Sequence, residues 1–142
     1  MFKFASRLGA AVLALTMLFG AAQAQAAGTK KVVLQLSDGS PDKQTLVLNV
    51  ANNLLKAFDD IEVEVVAFGP GLRLLFVDNA NTGRVQSLAA SGVKFAACGN
   101  TMRKMTQLLG EEPKLNSNAV MVNAGIGRIL ELVDQGYVLV RP

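Results

Sequence analysis

Hydrophobic residues along the chain fall into two patterns, short continuous runs and longer stretches with helical spacing. A short apolar run between turn residues is typical of a strand covered on both faces of a parallel sheet. Such runs predict five strands, at 31–36, 61–68, 93–97, 119–122 and 137–140. Apolar residues three or four positions apart predict helices between the strands, at 41–58, 72–76, 82–90, 102–109 and 126–135.

The alternation of strands and helices determines the expected fold class. Parallel strands need crossover connections, which place helices on the faces of the sheet. Ser40 followed by Pro41 fits this order, because a capping residue before proline is typical of a helix start. We therefore expect an α/β protein, a three-layer α/β/α sandwich with a mostly parallel five-stranded sheet.

The first 24 residues follow a different pattern. Lys3 and Arg7 form a basic start, an apolar run covers 8–19, and small residues end the segment. These are the parts of a secretory signal peptide, whereas a membrane span needs about 20 apolar residues. Cleavage after Ala24 would release a domain of residues 25–142, and cleavage after Ala26 would release residues 27–142. We expect that domain to be periplasmic, with no stable membrane insertion.

Composition excludes several classes of function. The 142 residues include no histidine and one cysteine, which excludes a Ser-His-Asp triad, an imidazole metal site and an internal disulfide. Hydrophobic residues make up 51% and charged residues 18%, as in a globular domain. Removing Lys3 and Arg7 lowers the formal charge from +3 to +1, so nothing in the charge indicates a nucleic-acid partner.

Ligand sites in open parallel sheets lie outside the carboxyl ends of the strands. Four loops leave those ends, at 37–41, 69–71, 98–101 and 123–127, and they are rich in glycine, asparagine and serine. None contains a complete phosphate-binding motif, and we expect no cofactor. The candidate substrate-binding residues on these loops are Asp38, Gly69, Gly71, Asn100 and Gly125. Turn formation is the favoured explanation for the aspartate and the first two glycines, and helix capping is the favoured explanation for the asparagine.

Cys98 is the candidate catalytic residue. It directly follows the third predicted strand and precedes a helix, where the positive end of the helix dipole favours a thiolate. A thiolate is the form that attacks sulfur, so this position suits persulfide or disulfide chemistry. The alternative is a small apolar residue at the end of a buried strand.

The segment around this cysteine resembles the corresponding segment of DsrE/DsrF-like proteins. The resemblance rests on residues 92–102, on 125–132 with Gly136-Tyr137 and Arg141-Pro142, and on 67–71, and it covers nearly the whole mature chain. It implies a three-layer α/β/α domain, assembled into trimers or hexamers. It also implies that Cys98 accepts sulfur as a persulfide and exchanges it with a donor or acceptor protein. Because the sulfur-relay members are cytoplasmic, an export signal is a departure from them.

Two other functions remain open. A non-catalytic oligomeric module could bind a small ligand between its subunits. Less favoured is a Cu(I) site, because Cys98, Met102 and Met105 stand four and three residues apart and would offer three sulfur ligands. Methionines at that spacing also fit ordinary core packing, and we expect no metal site. The apolar segment 72–76 has few polar positions, so we expect a neighbouring subunit of a homo-oligomer to cover part of it.

Overall fold

The computed structural model describes residues 28–142, and the expected signal peptide lies outside the described residues. The strands are β1 (Lys30–Leu36), β2 (Ile61–Ala67), β3 (Lys94–Cys98), β4 (Ala119–Val122) and β5 (Val138–Val140). The helices are α1 (Pro41–Ala57), α2 (Thr82–Ala90), α3 (Gly99–Leu109) and α4 (Gly125–Asp134), with a 3-10 helix at Gly69–Leu75. Among residues 28–142, no helix is long and apolar enough to cross a membrane.

All five strands belong to one parallel sheet in the order β4-β3-β2-β1-β5. From β1 to β4 each new strand is added on the same side of the last one. Right-handed crossovers therefore place α1, the 3-10 helix, α2 and α3 on one face of the sheet, which we call the α1 face. The connection from β4 back to β5 runs in the opposite direction and places α4 on the other face, the α4 face. The expected α/β sandwich is confirmed.

The two faces enclose separate hydrophobic clusters. On the α1 face, Leu34, Val65 and Phe95 from the strands pack against Leu48 of α1 and Leu74 of the 3-10 helix. On the α4 face a smaller cluster joins strand residues to the helix; its members are Val33, Val66, Ala96, Ile129, Leu132 and Tyr137. Alternate residues of each strand point to opposite faces, which explains why neighbours such as Val33 and Leu34 belong to different clusters.

The apolar segment 72–76 corrects one expectation. It belongs to the 3-10 helix, and Leu72, Leu74 and Leu75 are fully buried in the core of the α1 face. The chain itself covers these side chains, so this segment gives no reason to expect a neighbouring subunit. A short helix with leucines on several sides is apolar here because it lies between β2, β3 and the helices above them.

One shift of three residues from a predicted boundary falls just after the third strand. The strand continues through Cys98, and α3 begins at Gly99 rather than at Met102. Glycine and asparagine are weak helix formers, so the sequence pattern placed the start one turn too late. As a result Cys98 is at once the last residue of a strand and the N-cap of a helix.

Candidate functional site

Cys98 lies where the topology of the sheet places a crevice. The loop after β3 leads to α3 on the α1 face, whereas the loop after the adjacent β4 leads to α4 on the opposite face. Adjacent strands whose connections diverge in this way define a topological switch point, the usual ligand position in open parallel sheets. Cys98 ends one of these strands, and Gly125 begins the helix that follows the other. Two helix N-termini therefore meet at one thiol.

The N-terminus of α4 donates directly to the sulfur. The backbone N–H of Gly125 donates to Cys98 Sγ with an N···S distance of 3.2 Å. The approach is close because residue 125 has no side chain: a Cβ there would lie 3.1 Å from Phe68 Cβ and 3.2 Å from Cys98 Cβ. The glycine therefore brings the helix start within hydrogen-bonding distance of the thiol.

A second contribution comes from Thr101 in the first turn of α3. Thr101 Oγ1 accepts a hydrogen bond from the Gly69 N–H at 2.9 Å, which fixes the position of the hydroxyl. The Thr101 hydroxyl lowers the pKa of the Cys98 thiol. Gly69 thus acts on the thiol through Thr101. The site residues are Cys98, Gly125, Thr101 and Gly69, supplied by three different connections of the sheet.

The environment favours the thiolate form of Cys98. Burial by itself raises the pKa of the thiol, because Cys98 is only 5% exposed. The Thr101 hydroxyl and the backbone N–H groups of Thr101, Gly125 and Asn100 stabilise the anion more strongly, so the pKa lies below its ordinary value. The backbone N–H groups of α3 act chiefly through the positive end of the helix, since the Cys98 side chain forms no capping hydrogen bond with them.

Asn100 and Gly71 were expected on the same rim. Asn100 does not direct its side chain toward the thiol, and Gly71 has no side chain. The Asn100 side chain is exposed and accepts a hydrogen bond from the Arg103 guanidinium, so only its backbone contributes at Cys98. A Cβ on Gly71 would lie 2.4 Å from the Leu36 carbonyl oxygen, which shows that this glycine is needed for packing of the 3-10 helix on β1. A substrate-binding role for either residue stays a prediction.

Asp38 lies in a different place, at the carboxyl end of β1. It accepts a hydrogen bond from the Ser40 N–H at 2.8 Å, which lowers the pKa of its carboxyl group. Asp38 lines an open cavity of about 450 Å³ together with Lys43 and Arg141, and Cys98 is not among the lining residues. The carboxylate therefore shapes the turn before α1 and takes no part in the thiol site.

The three sulfur atoms considered for copper are not brought together. Met102 and Met105 belong to the cluster on the α1 face. Cys98 follows the alternation of Ala96 toward the α4 face, where its sulfur meets Gly125. Within residues 28–142, no group of three or more Asp, Glu, Cys or His side chains could hold a metal ion.

The α4 face also contains an ion pair that the sequence pattern did not indicate. Glu64 of β2 is 3% exposed, and both of its carboxylate oxygens accept hydrogen bonds from Arg128 of α4. The distances are 2.7 Å from Nε to Oε1 and 2.9 Å from Nη2 to Oε2. Hydrogen bonding to Glu64 raises the pKa of Arg128 further above its already high value. The two residues are 64 positions apart, so no local motif joins them.

Two other contributors, Thr101 and Phe68, were also missed by sequence reasoning. Thr101 stands three residues after Cys98. If the predicted helix had begun at residue 99, as α3 does, this spacing would have placed Thr101 in its first turn, close to Cys98. Phe68 follows β2 and lies beside the start of α4, where a Cβ on Gly125 would be 3.1 Å from Phe68 Cβ. An aromatic residue after an apolar strand carries no functional signal in the sequence.

Comparison with known proteins supports the fold and gives no information about activity. No protein-family model and no curated protein matches the chain. A solved structure does match: the protein of unknown function MTH1491 from Methanobacterium thermoautotrophicum is similar with a TM-score of 0.74 and 28% sequence identity. The alignment covers 80% of this chain and 99% of that chain. The described domain thus has the same architecture as that protein.

Proposed function

We propose that this chain is a periplasmic sulfur-handling protein of the DsrE/DsrF-like family, which carries or relays sulfur as a persulfide on Cys98. The observation that carries the proposal is the 3.2 Å hydrogen bond from the Gly125 N–H to Cys98 Sγ at the topological switch point. Donors that stabilise a thiolate also stabilise a persulfide anion, whose charge lies one bond farther out. The resemblance of residues 92–102 to the cysteine segment of that family supports the same chemistry.

The proposed reaction is a transfer of sulfane sulfur. The Cys98 thiolate attacks a terminal sulfur of an inorganic polysulfide dianion, and a new S–S bond forms at Sγ. The S–S bond inside the polysulfide breaks, and its electron pair leaves with the shortened dianion, so charge and sulfur both balance. An acceptor thiolate then attacks the outer sulfur and regenerates the Cys98 thiolate. No external oxidant or reductant is consumed in either step.

The low exposure of Cys98 limits the size of the donor. A side chain that is 5% exposed admits a narrow, linear reagent more readily than the bulky thiol of a folded protein. We therefore favour a small polysulfide as the donor in the first step. Transfer onward to a protein partner would require the β4–α4 connection to move aside.

A homo-oligomer, such as a trimer or hexamer, is part of this proposal, and its support comes from α4. Ile126, Leu130 and Val133 form an apolar stripe along the helix and are between 42% and 61% exposed. They lie on the flank of α4 away from β4, because Gly127, Arg128 and Glu131 face the β4 connection. An exposed stripe of this kind marks an interaction surface. Light scattering of the mature chain at micromolar concentration tests it, and a monomer would remove this part of the proposal.

Sulfur uptake is tested by mass spectrometry of the intact mature protein after exposure to polysulfide. We expect a gain of one sulfur atom in the native protein, its removal by dithiothreitol, and no gain in Cys98→Ser. The serine variant retains the shape of the side chain but is a poor nucleophile, which makes it a matched control. The same spectrum reports whether cleavage follows Ala24 or Ala26. Native protein that gains no sulfur, while the unfolded chain does, would exclude sulfur transfer.

The alternative is a binding module without turnover, and the burial of Cys98 is the observation in its favour. In that case the thiol is structural and reacts only after unfolding. The cavity lined by Asp38, Lys43 and Arg141 would then be the better candidate for a ligand. A native protein that resists both alkylation and polysulfide would favour this function.

A further inference from the structure

The Glu64–Arg128 ion pair is costly for the fold. The Glu64 side chain is almost completely removed from water, whereas that of Arg128 is 27% exposed. Burying a carboxylate carries a large desolvation penalty, and a well-packed apolar pair often gives equal or greater stability. Glu64 nevertheless stands in the middle of β2, between buried valines at positions 63 and 65. The ion pair therefore provides a property that apolar side chains lack. Its hydrogen bonds are directional, whereas apolar contacts are not.

The pair connects β2 with the first turn of α4. Arg128 is three residues beyond Gly125, and its own N–H closes that turn on the Ala124 carbonyl at 2.9 Å. Two roughly parallel hydrogen bonds from one planar guanidinium fix the helix both in distance and in rotation. Ile129 and Leu132 also hold α4 to the sheet, but apolar contacts are non-directional and allow small sliding movements.

We propose that Glu64 and Arg128 are positioning residues for Cys98: by fixing the first turn of α4 on β2, they keep the Gly125 N–H pointed at the sulfur. Neither side chain touches the reacting atoms, so they act through α4. The inference rests on the proposed function, since it treats Cys98 as the reactive group. Beyond that function, the inference assigns a role to the ion pair between β2 and α4: the pair fixes the position of the Gly125 N–H relative to the Cys98 sulfur.

The test compares the pH midpoint of Cys98 alkylation by iodoacetamide in native variants. Removing one ion alone would leave the other unpaired, and its charge would shift the midpoint without any movement of α4. The double variant Glu64→Leu/Arg128→Met removes both charges and leaves the local net charge unchanged. We expect its midpoint to rise by about half to one pH unit, so that alkylation at neutral pH slows about three- to tenfold.

Arg128→Lys is the second variant, because lysine retains the charge but forms no bidentate contact. We expect a smaller rise of the midpoint in the same direction. Glu62→Gln is the matched control: Glu62 lies on the same face of the same strand, but it accepts its hydrogen bond from Tyr137, beyond the far end of α4. Its midpoint should equal that of the unmodified protein.

A double variant that folds and has an unchanged midpoint would overturn the inference, as would an equal shift in Glu62→Gln. If the double variant does not fold, an unchanged midpoint in Arg128→Lys overturns it instead. The alkylation measurement contains no sulfur compound. A protein that fails to take up polysulfide therefore speaks against the proposed function, whereas the midpoints of these variants speak only to the ion pair.

Discussion

The two faces of the sheet are built differently. The cluster on the α1 face contains seventeen buried residues, all apolar, from strands, helices and the 3-10 helix. The cluster on the α4 face contains six, and a single helix covers it. Alternate residues of β2 and β3 bring Glu62, Glu64, Lys94 and Cys98 to this thinner side. Every polar side chain that shapes the thiol site, except Thr101, belongs to the α4 face or its rim.

The difference indicates that the two faces contribute different properties to the protein. Apolar contacts on the α1 face supply stability without specifying the orientation of any one group. Hydrogen bonds on the α4 face are directional and place a few atoms accurately, at a cost in desolvation. We therefore expect substitutions on the α1 face to change mainly the free energy of unfolding, and substitutions near α4 to change mainly the chemistry of Cys98.

The largest effect on stability should come from Leu34→Ala. Leu34 is fully buried in the α1-face cluster, and its truncation should lower the free energy of unfolding by about 3–5 kcal/mol. The pH midpoint of Cys98 alkylation should not move, because the thiol lies on the other face. Val33→Ala, on the same strand but in the smaller cluster, should cost about 2 kcal/mol. Denaturant unfolding checks both, and a larger loss in Val33→Ala would reverse the ranking of the faces.

Gly125→Ala should change both properties. The added methyl group would lie 3.1 Å from Phe68 Cβ and 3.2 Å from Cys98 Cβ, so Phe68, Cys98 or α4 must shift by a few tenths of an ångström. We expect a loss of about 1–3 kcal/mol in the free energy of unfolding, together with a higher alkylation midpoint. Gly127→Ala is the matched control, since its Cβ would be an ordinary 3.6 Å from Ala124 Cβ and alanine favours a helix. Equal behaviour of the two variants would contradict the close approach of α4.

Thr101→Val should have a smaller effect on stability, concentrated at the thiol. Valine retains the shape but removes the hydroxyl that accepts a hydrogen bond from the Gly69 N–H and lowers the pKa of the Cys98 thiol. We expect a loss of about 1 kcal/mol in stability and a rise in the alkylation midpoint of up to about one pH unit. Thr101→Ser restores the hydroxyl and should restore the midpoint. If valine and serine give the same midpoint, the hydroxyl does not act on Cys98.

The smallest effect is a pH dependence of stability. The pKa of Cys98 is lower in the folded chain than the ordinary thiol value that applies to the unfolded chain. The ionised thiol therefore adds stability above about pH 8.5, and this contribution is lost as the pH falls through the folded pKa. Relative to Cys98→Ser, the unmodified protein should gain stability between neutral pH and pH 9. A constant difference across that range would contradict the lowered pKa.

Much of the architecture could be predicted from the sequence, because burial on both faces of a parallel sheet leaves clear apolar runs. The bounds of α2 and β4 agree with the prediction, and Ser40 and Pro41 mark the start of α1. The start of α3 was missed because glycine and asparagine carry little helical signal. The prediction that a neighbouring subunit covers the segment 72–76 was wrong, because an apolar pattern does not reveal which part of the protein covers a segment.

The site was only partly predictable, for a related reason. The position of Cys98 after a strand could be read locally, and so could the candidate glycine at position 125. Their contact depends on β4 sending its connection to the opposite face, which is a property of strand order and not of any motif. Glu64 and Arg128 meet across two elements that no periodicity links. Asp38 and Gly71 look similar to site residues in the sequence because turns and ligand loops use the same residue types.

The most direct test is the rate of native Cys98 alkylation by iodoacetamide as a function of pH. We expect the alkylation rate to follow a single titration with a midpoint clearly below the ordinary thiol value of about 8.5, and we expect no labelling of Cys98→Ser. Appreciable thiolate would then be present at neutral pH in the folded protein. A midpoint at or above about 8.5, or labelling that occurs only after denaturant is added, would contradict the claim that the two helix starts hold a reactive thiolate.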